Sequence, residues 1–381
     1  MAARGRERKE GGIRQKRLRR LPPNALGQEQ QHFLLTAGAV SMSEAQVARM
    51  SEAEAYAAFK AIRFAENGGE PVCRFDDCGH TRVYTMITSR RRKAAGNDFA
   101  EPTYKCAACR RQFTVTSGKR FNSRKMSFRD ILYSLMVMVN AVSGAAALRL
   151  RRAVGSSYKT SFVFEGKVRV AMAMSRDLRE LGGDVPVDID GKVIGGHRRP
   201  HTLKDEKRFY QDARKQQAVV VVRERGQDGE SRVHVVSGHE LNALEFIDHI
   251  TAEHTEVFSD AGWSLGHIGP HRTVVHTKGF KIDDIHNNGA ESLFARLQRA
   301  EEGVYYRIAG KNLDLYAQEV SWREDYRREC NGTQWLRLLE AVTSQPISKR
   351  WKGYWQRWQA EGVKRRSRPW KNRQPSVGQP C

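Results

Sequence analysis

The sequence predicts an α/β protein: a mixed-sheet domain preceded by a small metal-held module and a helical region, with basic arms at both ends. Three observations predict it. Strand signals begin after Gly182 and run strand, strand, strand, helix, strand, strand, helix. Two close cysteine pairs stand ahead of them, Cys73-x4-Cys78 and Cys106-x2-Cys109, separated by 27 residues. The charge of +23 is concentrated at the termini: residues 1–20 hold nine basic and two acidic residues, and residues 349–373 hold ten and one. The remainder is only mildly basic, so the ends read as electrostatic arms for a polyanion such as nucleic acid or an anionic membrane surface.

At 381 residues the chain has room for two or three domains, since single cores rarely grow past roughly 250–300 residues. Residues 1–41 read as a basic and polar arm, too charged over 1–20 to hold the apolar core of a secretory leader. From Met42, "MSEAQVARMSEAEAYAAFKAIRF" starts with a helix-capping signal and assigns 42–70 to an N-terminal helix. Residues 71–117 carry the cysteines, flanked by short β-rich runs at Arg82–Thr88 and Gln112–Thr116. Paired knuckles on two turns suit a tetrahedral Zn²⁺ site of Cys73, Cys78, Cys106 and Cys109, with His80 near enough in sequence to be an alternative ligand. A reducing compartment follows from the same usage. Cys330 and Cys381 read as incidental.

Residues 118–180 are helix-rich. Within them, "AAALRLRRAVGSSYKTSFVFEGKVRVAMA" reads as a helix, a turn at Gly155, and a second helix starting near Ser156 or Ser157, the pattern of a DNA-binding helix-turn-helix. Lys159, at the start of that second helix, is a DNA-facing candidate. The apolar stretch Ile131–Leu148 is as long as a short membrane span, but Asn140, Ser143 and Gly144 interrupt it, and it reads as buried helix.

In residues 181–330, "VPVDIDGKVIGG" alternates Val185, Val187 and Ile189 with Asp188 and Asp190. "QAVVVVRERG" and "SRVHVVSG" form a hairpin through "QDGE". "HELNALEFIDHITAEH" is a helix, "TEVFSD" a strand ending at Asp260, and "RTVVHTK" another. The last element, "IDDIHNNGAESLFARLQR" (Ile282–Arg299), opens a helix whose apolar face is Leu293, Phe294 and Leu297, with Asn288 and Glu291 one turn apart and off that face. Asn288 could be a cap and nothing more. Residues 331–381 read as a basic arm carrying Trp351, Trp355, Trp358 and Trp370. Those rings suit base stacking beside phosphate contacts, or a helix that packs Trp351, Trp355 and Trp358 on the body at i, i+4, i+7 spacing.

Strand-end carboxylates on neighbouring strands of a mixed sheet converge at one edge, and a helix across that edge can add a third. Asp190, Asp260 and Glu291 are so placed, and all-oxygen ligation suits Mg²⁺ or Mn²⁺. Two such ions serve in-line phosphoryl transfer. Taken singly, each acid also has an ordinary role: Asp190 and Asp260 as turn or cap residues, Glu291 as an exposed helix residue.

From Met42 to Arg328 the chain resembles the DDE-type transposases of prokaryotic insertion sequences, in the group with an ISXO-two-like transposase domain behind a zinc ribbon. The residues that carry the resemblance are "SEAEAYAAFKAIRF", "YKCAACRRQFTVTSGKRF", "VDIDGKVIGG", "FSDAGW" and "HNNGAESLFARLQR". The resemblance implies an RNase H-like catalytic domain after a small zinc ribbon and helix-turn-helix-like region. It also implies Mg²⁺-dependent cleavage and strand transfer at Asp190, Asp260 and Glu291, with Asn288 competing for the third place, and a cytoplasmic, nucleoid-associated homo-oligomer on double-stranded DNA, both terminal inverted repeats and target. Arg198, Arg199, Lys204, His286, Gln298 and Arg299 would face DNA; a solvated loop is the alternative for the first three. Two departures stand out. Gly191 holds a place where the family often has a second acid, and Gln298 one where it usually has lysine, leaving Arg299 as the nearby cation. The rival reading is a zinc-dependent DNA-binding regulator or an inactive transposase derivative.

Overall fold

The computed structural model describes residues 33–75, 77–87, 99–176, 179–194, 217–226, 228–260, 262–274, 287–306, 308 and 310–356. Arg198, Arg199, Lys204, His286, Trp358 and Trp370 lie outside the described residues, as do residues 1–32 and 357–381 of the two arms.

The helix expected from Met42 is two, α1 (Glu44–Ala48) and α2 (Glu52–Arg63). Ser51 divides them: its hydroxyl accepts from the Glu54 amide while the Glu54 carboxylate accepts from the Ser51 amide, a reciprocal cap that starts a new helix. A three-stranded antiparallel sheet follows, β1 (Val83–Met86), β2 (Thr103–Cys106) and β3 (Gln112–Phe113), in that order. Next come α3 (Phe128–Asn140), α4 (Ala147–Val154) and α5 (Tyr158–Met174). The apolar stretch Ile131–Leu148 is thus broken after Asn140, and no helix among the described residues is long and apolar enough to cross a membrane. Gly155 ends α4 in the left-handed region at φ +67°, where a Cβ is disfavoured, and Ser157 caps α5 by accepting from the Thr160 amide.

The second unit is a five-stranded mixed sheet, compatible with the expected transposase-type domain. Its strands are β4 (Val187–Ile194), β5 (Gln217–Glu224), β6 (Ser231–Ser237), β7 (Val257–Asp260) and β8 (His271–Val274), in spatial order β6-β5-β4-β7-β8. β4, β5 and β6 pair antiparallel, and β4, β7 and β8 parallel. The β-branched run of β5 is buried on both faces, as a central strand requires. Val220 and Val222 pack with Val187, Ile189 and α6 (Leu244–Ile250) on one face. Val219, Val221 and Ile194 pack on the other against α7 (Asn288–Ala300) and α8 (Leu313–Asp325).

Residues 331–344, expected to begin the C-terminal arm, form α9 (Asn331–Ser344). Its Trp335, Leu338, Leu339 and Val342 are buried in the helical core with α2, α3 and α5. Apolar residues at helical spacing therefore outweigh the charge run that follows. Trp351 is also interior, 3% exposed, packed on α5 from a turn rather than from a helix.

A buried ion cluster joins α5 to α8. Arg169 Nε donates to Glu319 Oε2 at 2.7 Å, and Arg323 reaches Glu319 Oε1 at 2.8 Å. Glu165 lies 3.2 Å from Arg169, and the Tyr305 hydroxyl donates to Glu319. Against burial, which raises it, Arg169 and Arg323 hold the Glu319 carboxyl down at about 2. Burial pushes Glu165 up to about 8 in spite of Arg169.

Candidate active site

β4 sets the geometry. Because it is a central strand, both of its faces are covered by helices, and Asp188 is only 2% exposed. Its side chain points to the α7 face, where it accepts from Arg225 Nε at 2.6 Å and from the Gly289 amide at 2.9 Å. Gly289 is required there, since a Cβ would stand 2.5 Å from Asp188 Oδ2. Arg223 grips the same turn through the Gly289 carbonyl at 3.0 Å. The first turn of α7 is thereby pinned to β4, with Ala290, Leu293, Phe294 and Leu297 buried beneath it.

Asp190 lies two residues further along β4 and so shares the Asp188 face. The parallel register pairs Asp188 with Phe258 and Ile189 with Ser259; one step on, Asp190 and Asp260 stand side by side on neighbouring strands. Glu291, one turn into α7, comes in from the pinned helix. The electrostatics record the convergence. Burial, with the Glu291, Asp260 and Glu240 carboxylates adding to it, pushes the Asp190 carboxyl up to about 6 against a 2.8 Å hydrogen bond from the Gly191 amide.

Asn288 is exposed as the first residue of α7; the N-cap position belongs to Asn287, which is buried and caps with its backbone rather than its side chain. Gln298, seven residues beyond Glu291, accepts from Lys192 Nζ at 3.1 Å. Lys192 follows Asp190 on the same face of β4. It places a cation at the glutamine where the family usually has lysine, so Arg299, whose guanidinium turns back to the Ala295 carbonyl, is not the sole cation there. Sequence reading missed Lys192 because its partner is 106 residues away. It missed Glu240 for a similar reason: a Cβ on Gly191 would stand 2.6 Å from Glu240 Cβ, so the absence of an acid at 191 makes room for one from the short 3-10 helix after β6, Glu240–Ala243.

Residues 180–325 match the family model of the ISXO2-like transposase domain. Over that segment the chain is similar to an ISXO2-like transposase domain. The matched segment holds the whole mixed sheet, α7 and α8, and with them Asp190, Asp260 and Glu291. No curated protein and no solved structure matches the chain.

Outside the transposase domain, Cys73, Cys78, Cys106 and Cys109 bring their four sulfurs within 4.8 Å of one another. The Cys73–Cys109 and Cys78–Cys106 pairs are 3.6 and 3.7 Å apart. A tetrahedron of sulfurs about a zinc at ~2.3 Å has edges of roughly 3.8 Å, so the donor set fits that ion. Burial pushes the Cys73 thiol up to about 12, whereas the Arg111 guanidinium holds Cys109 down at about 6. His80 is exposed and outside the cluster; its carbonyl accepts from the Cys73 amide at 2.9 Å.

Proposed function

We propose that the protein is an insertion-sequence transposase whose RNase H-like domain cuts DNA and joins 3′-hydroxyls to target DNA in a metal-dependent reaction. The observation that carries the proposal is the meeting of Asp190, Asp260 and Glu291, from two adjacent strands and a helix pinned to one of them, inside a transposase-family domain. The donor set is all oxygen, and its negative charges crowd one another, which a dication relieves. Mg²⁺ or Mn²⁺ bound there would activate the attacking oxygen and stabilise the leaving one.

The chain's own side chains have separate tasks in this reading. Asp190 and Asp260 fix the position of the scissile phosphate relative to the sheet. Glu291 is the third ligand, because it is the anionic and half-buried member of its helical turn, whereas Asn288 faces solvent as a neutral group for DNA. Lys192 and Gln298 form a polar pair beside the acids, suited to a phosphate flanking the cut. The four cysteines hold Zn²⁺ in a ribbon, and α4 with α5 act as a helix-turn-helix, with Lys159 at the entrance of the second helix. Arg198, Arg199, Lys204, His286 and Arg299 extend the DNA surface, and a homo-oligomer handles both terminal repeats.

The test is strand transfer of a labelled duplex carrying the element's end, with Mg²⁺, Mn²⁺ or EDTA, using wild type and Asp260→Ala. Joined products from wild type alone, dependent on metal, are expected. Binding without any metal-dependent cutting or joining would refute the enzyme and favour a DNA-binding regulator.

A further inference from the structure

A cavity of about 660 Å³ opens between α5 and the turn 350–356, and none of Asp190, Asp260 and Glu291 lines it. Its size falls among small-molecule sites, roughly 300–1,000 Å³. Lys125, Lys159, Lys167 and Lys352 line it together with Tyr354 and Trp355, and among the described residues no carboxylate does. Arg124, at the far wall, is already committed to Glu101 at 2.8 Å. Burial, with Arg120 adding to it, holds the Lys167 amine below its ordinary value, and among the described residues no acid pairs with it.

The aromatic wall is built into the fold. Gly166 has no side chain, and Trp351 fills that space: a Cβ there would stand 2.0 Å from the indole Cζ2. The Trp351 indole N–H is buried with no acceptor among the described residues. Trp355 donates from Nε1 to the Lys159 carbonyl at 3.4 Å, and Lys159 Nζ sits 5.5 Å from the Trp355 ring centre. Flat rings beside the Lys159 and Lys167 amines match a base with its phosphate.

We propose that this cavity takes an unpaired nucleotide of a DNA strand, its phosphate on Lys167 and Lys159 and its base against Tyr354 and Trp355; this rests on the DNA-binding reading above and deepens it. A duplex is too wide to enter, whereas one unstacked nucleotide fits. The chain's own ends do not suit the cavity, because residues 1–32 carry nine basic and three acidic side chains and residues 357–381 seven and one. Lys159, Val163 and Lys167 lie along one face of α5, whose first turn is the expected duplex contact, so a strand leaving a bound duplex meets the cavity next.

The experiment uses the full chain and anisotropy of a fluorescein-labelled oligothymidylate and of a blunt duplex of equal length, with dTMP as competitor. Lys167→Met and Trp355→Ala are each expected to weaken the oligothymidylate roughly tenfold, the effect of about one lost stacking or phosphate contact. Lys167→Met should leave duplex affinity within about twofold, and Lys167→Arg should keep both. Single-strand affinity unchanged in both loss variants, equal weakening of both DNAs, or dTMP binding as tightly as the oligomer would overturn the proposal. Failure of wild type to bind either DNA takes down the DNA-binding reading as well. Insensitive variants of a duplex-binding protein take down the cavity alone, and sensitive variants of a protein that never cuts take down only the enzyme.

Discussion

Replacing Asp190 with asparagine separates the cost of the candidate site from its use. In the folded protein burial and three neighbouring carboxylates raise the Asp190 carboxyl from 3.8 to about 6. The folded state therefore binds its proton more tightly than the unfolded chain, so this group destabilises the fold increasingly as pH rises from about 4 through 6 and fully above that. A shift of about two units corresponds to about 3 kcal/mol at pH 7.5 and about half of that at pH 5. Asp190→Asn keeps the shape and removes the charge. In EDTA at pH 7.5 it is expected to raise the melting temperature by several degrees, at roughly 2–4 °C per kcal/mol for a domain of this size, and the gain should shrink by half at pH 5. Added Mg²⁺ should stabilise wild type and leave the variant unmoved. Circular dichroism melts across pH, with and without the ion, check both. A variant no more stable than wild type at pH 7.5, or a gain independent of pH, would refute the argument that converging carboxylates load this site with charge.

Three further outcomes follow from particular contacts. Gly289→Ala drives a methyl into Asp188 Oδ2 and should cost about 1–3 kcal/mol in urea unfolding, with strand transfer falling together with stability because α7 carries Glu291. Glu319→Ala leaves Arg169 buried without its main partner and should destabilise by about 3–5 kcal/mol; the wild-type contribution, from a carboxylate held down at about 2, is present above about pH 4.5 and is lost as pH falls towards 2. Cys106→Ser should lower bound zinc from one per chain towards none in atomic absorption, and the β1–β3 sheet should lose its amide protection in hydrogen exchange.

Much of the transposase domain was legible in the chain. The order of strands and helices after Gly182 follows from period-2 runs and turn residues, and the three acids stand where that order puts them. Legibility failed where a residue's partner is remote. Asp188 alternates with Ile189 as a solvent-facing strand residue would, yet β4 is covered on both faces, so its partners are Arg225 and a helix amide 101 residues away. Lys192 and Glu240 could not be tied to Gln298 and Gly191 without the sheet that brings them together. The C-terminal boundary misread α9 because the Lys/Arg run after it dominates local composition, while Trp335, Leu338 and Leu339 are bound to helices nearly 200 residues earlier. β2 was overlooked because Thr103–Cys106 is only four residues long and mixes lysine with tyrosine.

The cluster of Glu165, Arg169, Glu319 and Arg323 has a mechanical side. Charges sealed between two helices tolerate no sliding, because any slip would strand an ion without its counter-ion. α5 and α8 thus behave as one strut, with the amines near Lys159 at one end and the sheet that bears Asp190 at the other. On the function proposed above, such a strut is a ruler: it holds the distance along DNA between grip and cut constant, and a lengthened or shortened spacer at the element's end would have to be met by bending the DNA, not the protein.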